Sequence, residues 1–163
     1  MKVVRIEKIL ESTFLNTESI EGQDPLIFGY GDAKELDTVL ATKIRNSKKA
    51  YPLLWYVMPN TLKYKEDGFS GVCRFVLAHN TDSNWRNDQR FNETFEKCLY
   101  PYFEKVLDII DSSSDFGFTE ELSYSFTNAP NYSNASLSKN LQVDVWDAIS
   151  IDVDLTFYNE NDC

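Results

Sequence analysis

The chain has 163 residues, 42% of them apolar and 26% charged, which suits one compact domain with a core of its own and excludes wholesale disorder. No apolar run approaches the ~20 residues that span a bilayer. Lys2, Arg5, Glu7 and Lys8 interrupt the apolar positions at the start, so no signal peptide is expected and the protein is expected to stay in the cytoplasm where it is made. The formal net charge is −10, with +2 over residues 1–65 and −12 over residues 66–163, and so acidic a body repels phosphate backbones.

Val3, Ile6, Ile9, Leu10 and Phe14 recur at helical spacing, so residues 1–15 read as an amphipathic N-terminal helix. Residues 16–25 are polar and close on Asp24-Pro25, a loop. Leu26-Ile27-Phe28 is a brief extended stretch before Gly29 and Gly31. Asp32 with Glu35 three residues later is the capping-box pattern, and it opens a helix whose buried face is Leu36, Val39, Leu40 and Ile44. That helix closes over residues 46–49, where lysines suit a C-terminus.

Pro52 to Met58 is a short, continuous apolar run and reads as a buried strand with proline at its first position. Residues 59–71 form a hairpin-like connection to a partner strand, Val72 to His79, and two strands joined locally pair antiparallel. The longest regular element follows. Asp82 or Ser83 can cap it, and Phe91, Phe95, Cys98, Leu99, Tyr102, Val106, Leu107 and Ile110 recur at three- and four-residue steps. Pro101 lacks an amide donor and crowds the preceding turn, so a kink or a two-segment helix is expected there.

Leu122, Tyr124 and Phe126 alternate as a strand. Residues 127–142, rich in Asn and Ser, read as a polar loop or arm. From Ile149 the alternation is strict, with Ile149, Ile151, Val153, Leu155 and Phe157 inward and Asp152, Asp154 and Thr156 outward. Asp147 falls on the inward parity, which predicts a bulge or turn near 144–148. The fold class is α+β: one domain over residues 1–163, with an antiparallel or mixed sheet of four to five strands packed against two to three helices.

No catalytic constellation emerges. His79 is the only histidine, it ends a predicted strand, and no nucleophile motif accompanies it, so it reads as a structural hydrogen-bonding residue. Cys73, Cys98 and Cys163 contain no paired spacing for zinc or for a disulfide framework. Asp144, Asp147, Asp152, Asp154, Glu160 and Asp162 form an acidic set that hard cations could use. They lack the glycine turn and terminal Glu of a calcium loop, and solvated or interface-facing carboxylates are the expectation. No cofactor is expected. Tyr51, Tyr56, Tyr64, Tyr100, Tyr132, Trp85, Trp146 and Tyr158 fall in loops, at element ends or on outward parities, where aromatic side chains suit protein contacts as well as cover over a core.

Three stretches carry a resemblance: Tyr51-Pro52-Leu53-Leu54-Trp55 at a strand start, Arg90 to Pro101 (RFNETFEKCLYP) in the long helix, and Val145-Trp146-Asp147-Ala148-Ile149 before the last strand. With a Trp-bearing loop at Trp85 and Cys163, this order resembles small neck or tail-completion proteins of tailed bacteriophages, nearest to crAss-like phages of gut Bacteroidetes. The resemblance implies a tail-terminator-like virion component without catalytic residues, forming a ring of six or twelve copies in the head–tail connector. Neighbouring portal and tail proteins would be its partners, with genomic DNA passing through unbound and no membrane involved. Lys43, Arg45, Lys48 and Lys49, set against carboxylates such as Asp152 and Asp154 of an adjacent copy, are the expected ring contacts, with Tyr64, Trp85 and Tyr132 as aromatic contacts on the 59–71 and 127–142 segments and the Trp loop. The alternatives are a cytoplasmic adaptor with an acidic surface and a metal-dependent enzyme using the Asp cluster.

Overall fold

A computed structural model describes residues 5–45, 51–58, 60–65, 68–82, 84–117, 121–132 and 145–158, without the side chains of 41–45, Lys65 and Val145. The fold is α+β: a seven-stranded mixed sheet with helices on both faces. In chain order the elements are α1 (Ile6–Phe14), β1 (Ile27–Gly31), α2 (Ala33–Arg45), β2 (Leu53–Val57), β3 (Lys63–Lys65) and β4 (Gly68–Thr81). There follow α3 (Asn87–Arg90), a π-helical stretch (Phe91–Leu99), α4 (Tyr100–Ser112), β5 (Phe116–Gly117), β6 (Tyr124–Tyr132) and β7 (Val145–Tyr158).

The strand order is β1-β2-β4-β7. β5 and β6 share the far side of β7, and β3 lies beside the start of β4. β1 is parallel to β2, and every other pairing is antiparallel. β4 and β7 form the spine, paired without interruption from Gly68↔Tyr158 to Thr81↔Val145. β4 is therefore longer than the expected Val72–His79, because Gly68, Phe69 and Ser70, which read as connection, are held by β3 on one side and β7 on the other.

One sheet face is covered by α1 and the long helix. Ile6, Leu10 and Phe14 are its buried α1 residues, and Phe14 stacks on Phe28 and meets the edge of Phe75. Phe95, Cys98, Leu99, Tyr102, Val106 and Ile110 cover Ile149, Ile151, Val153, Leu155 and Phe157, all of them buried, so the inward alternation of β7 is as its spacing requires. Among the described residues, only one end of the opposite face is covered. There Leu36 and Leu40 of α2 lie over Leu53, Trp55, Val76, Ala78, Trp146 and Ala148. The start of α2 is closed as its cap residues predict, with the Glu35 amide donating to Asp32 Oδ1 at 2.7 Å.

One expectation is met in a particular form and two are corrected. The break foreseen at Pro101 takes the form of a change of helical register: the π-helical stretch ends just before it and Pro101 occupies the first turn of α4. The carbonyl of Lys97, which the absent Pro101 amide would serve in an α-helix, accepts instead from Gln23 Nε2 at 3.0 Å. The loop reading of 127–142 is corrected for residues 127–132, which continue β6, while 133–142 lie outside the described residues. The irregularity expected near 144–148 of β7 lies across from it on β6, where one extra residue sits between Ala129 and Tyr132 and Asn131 has φ 55°.

Candidate functional site

The inward Asp147 explains the shift of that bulge. Its side chain is fully buried and pairs with Arg90 at the start of the long helix, Nη1 to Oδ1 at 3.0 Å, with 6% of the Arg90 side chain exposed. Arg90 also donates from Nε to the Trp85 carbonyl and from Nη2 to the Asp82 carbonyl, at 3.1 and 3.3 Å. The bulge turns the Asn131 amide onto Asp147 Oδ1 at 2.8 Å. One buried ion pair thus ties the β4–α3 loop, the long helix, β6 and β7 together. Sequence reasoning missed Arg90, although an aspartate on an inward parity itself signals a buried cation nearby.

Among the described residues, nothing covers the other end of the second face. Arg74 grips Asp152 from the neighbouring strand with two bonds, Nε to Oδ1 at 2.7 Å and Nη2 to Oδ2 at 2.9 Å. The Arg74 hydrogen bonds hold the Asp152 carboxyl below the usual carboxylate range, and Asp152 raises the Arg74 pKa in return. Val72, Ser125, Thr127 and Asp154 are exposed around this pair.

Among the described residues, the sheet is also open at its sides. β6 has no strand outside it among the described residues, and Tyr124 and Phe126 are 45% and 47% exposed there despite packing on Phe103. The Asp154 amide donates to the Ser123 carbonyl, so Ser123, Ser125 and Thr127 turn their backbone groups to β7. By alternation, the N–H and C=O of Tyr124, Phe126 and Asn128 point away from the sheet. β1 is the opposite edge. Ile27 and Gly31 bond to the β2 side, through the Pro52 carbonyl and the Met58 amide, which leaves the backbone groups of Phe28 and Tyr30 turned outward.

The contact residues read from the sequence do not form one patch. Lys43 and Arg45 lie on the last turn of α2, with side chains outside the described residues; Lys48 and Lys49 lie outside them altogether. Tyr64, 59% exposed on β3, packs edge-on against Phe69 near the Gly68↔Tyr158 end of the spine. Trp85 and Tyr132, both half-buried, are at the opposite end; Tyr132 packs on the α2 side, where burial raises its hydroxyl pKa. Asp154 is exposed, whereas Asp152 is already engaged by Arg74. Tyr51, Tyr56 and Trp146 are core residues, because β2 and the start of β7 are covered on both faces.

Of the acidic set, Asp144, Glu160 and Asp162 lie outside the described residues, and among those described no group of three or more His, Cys, Asp or Glu side chains is placed to hold a metal. His79 Nδ1 lies 2.7 Å from the Asn80 carbonyl. Burial pushes the Cys73 and Cys98 thiols up to about 12, which leaves them un-ionised and poor nucleophiles at neutral pH. No described helix is long and apolar enough to cross a membrane. No family model, curated protein or solved structure matches the chain.

Proposed function

We propose that the chain is a structural, non-enzymatic virion subunit whose copies, six or twelve of them, form a ring in the head–tail connector or neck of a tailed phage, joining portal-side to tail-side parts around the DNA channel. The observation that supports this reading most is that, among the described residues, the sheet is open at both sides. An exposed, uncharged aromatic edge strand is a template for another chain, and monomeric proteins ordinarily blunt such edges with lysine, proline or a covering element. On β6 the bulge and Pro130 blunt only the far end, so residues 124–128 keep their pairing capacity. Two distinct edges on one subunit suit head-to-tail repetition, the arrangement that closes into rings. The net charge of −10 suits a channel that must not grip a polyanion.

The test is structural analysis of assembled particles. Cryo-electron microscopy and mass spectrometry of virions are expected to find the chain in stoichiometric amount at the portal vertex or upper tail, as a ring. Particles that lack it altogether would overturn the reading.

A further inference from the structure

We infer that the contact between copies is an antiparallel strand pairing in which the outer edge of β1 of one copy adds to the outer edge of β6 of the next. This rests on the ring reading and names the surface that makes the ring.

Four observations converge on these two edges. First, neither strand carries a charge: Ile27–Gly31 is IFGYG and Tyr124–Tyr132 is YSFTNAPNY, in a chain where 26% of residues are charged. Two copies of a molecule at −10 repel each other on balance, so strips free of charge are favoured places for them to meet. Second, the strand directions fit. β1 runs parallel to β2, and the antiparallel steps β2-β4-β7-β6 leave β6 running opposite to β1. A copy repeated side by side about an axis along the strands therefore brings its β6 antiparallel to the first copy's β1.

Third, the faces fit. The residues with outward backbone groups are Phe28 and Tyr30 on one edge and Tyr124, Phe126 and Asn128 on the other. Phe28 and Tyr30 pack with the core cluster under α1 and the long helix. Tyr124, Phe126 and Asn128 stand opposite Val153, Ile151 and Ile149, which face that same side. Residues that exchange backbone bonds in an antiparallel pair share a face, so the joined sheets continue one into the next without a flip. Fourth, placing Phe28 opposite Phe126 and Tyr30 opposite Tyr124 covers the two rings that the single copy leaves exposed.

Cysteine cross-linking tests this. Within one copy β1 and β6 are four strand spacings apart, roughly 19 Å, too far for a disulfide or a short bis-maleimide to join Tyr30 to Tyr124. In a Cys163→Ser background the Tyr30→Cys/Tyr124→Cys variant is expected to give a ladder of covalent multimers on mild oxidation or bis-maleimide treatment, and each single-cysteine variant at most a tenth of that yield. Adding Phe126→Pro, which removes an outward amide and spares the β7 ladder, is expected to cut the ladder at least tenfold while circular dichroism still reports a folded sheet. Dimers from Tyr124→Cys alone would mean that β6 pairs with itself and would overturn the inference. So would oligomers seen by light scattering without any ladder, an outcome that leaves the ring itself standing. A chain that stays monomeric at every concentration and gives no ladder also overturns the pairing, while the particle analysis above decides the ring reading separately.

Discussion

Replacing Arg90 with methionine keeps most of the aliphatic volume and removes the cation that faces Asp147. The Asp147 side chain is fully buried and only 6% of the Arg90 side chain is exposed, so solvent cannot take over. Breaking a buried pair by removing one partner costs about 3–5 kcal/mol, most of it from the charge left behind. The carbonyls of Trp85 and Asp82 lose their donors in the same step, which places the cost toward the upper end. For a domain of this size each kcal/mol lowers the melting temperature by roughly 2–4 °C, so Arg90→Met is expected to lower it by roughly 10 °C or more. Urea titration gives the free energy directly. Arg90→Met/Asp147→Asn should be more stable than Arg90→Met alone, because asparagine removes the orphaned charge yet still accepts from the Asn131 amide. A single-variant cost below about 1 kcal/mol, or a double variant less stable than the single, would refute the assignment of this pair as a buried linchpin.

At Gly29 an added Cβ would lie 2.7 Å from the Trp55 ring, which α2 holds in place, so Gly29→Ala is expected to cost about 1–3 kcal/mol by urea titration. Arg74→Ala removes a half-exposed pair and is expected to cost under about 1 kcal/mol at pH 7. Because Arg74 lowers the Asp152 pKa in the folded state, that contribution is complete above the ordinary carboxylate value of about 3.9 and is lost as pH falls through the lowered one; stability measured from pH 6 down to 3 checks this. Cys73 and Cys98 are expected to resist iodoacetamide at pH 8 in the folded protein and to react once urea unfolds it, as read by mass spectrometry of the intact chain.

What the sequence disclosed depended on whether one residue or a distant pair set the outcome. The alternation of Ile149 to Phe157 places the buried face of β7 by itself, and Asp32 with Glu35 places the start of α2. The unbroken apolar run Pro52–Met58 marks a strand buried on both sides, which is why Tyr56 is core rather than contact surface. Residues 127–132 hide their strand because an edge strand needs little apolar material of its own; it borrows order from β7. The bulge expected beside Asp147 was a local answer to a problem that the fold solves from elsewhere, with Arg90. The two-segment helix expected at Pro101 is present, and Gln23 serves the carbonyl that the proline leaves without its amide. The two open edges could not be read in advance, since edge status depends on strand order. Lys48 and Lys49 lie outside the described residues, and the charge contacts expected of them stay with the proposed ring.

The position of β7 in the spine also has a consequence during synthesis. β4 is complete by residue 81, yet its partner along the whole length, the strand that also holds β5 and β6, spans Val145–Tyr158. A ribosome releases the chain from its N-terminus, so β4 leaves the exit tunnel long before the strand that must lie beside it. Until that strand emerges, the long helix has only half a platform to sit on, and the pairings of β4, β5 and β6 with it form only after the rest of the sheet has left the tunnel.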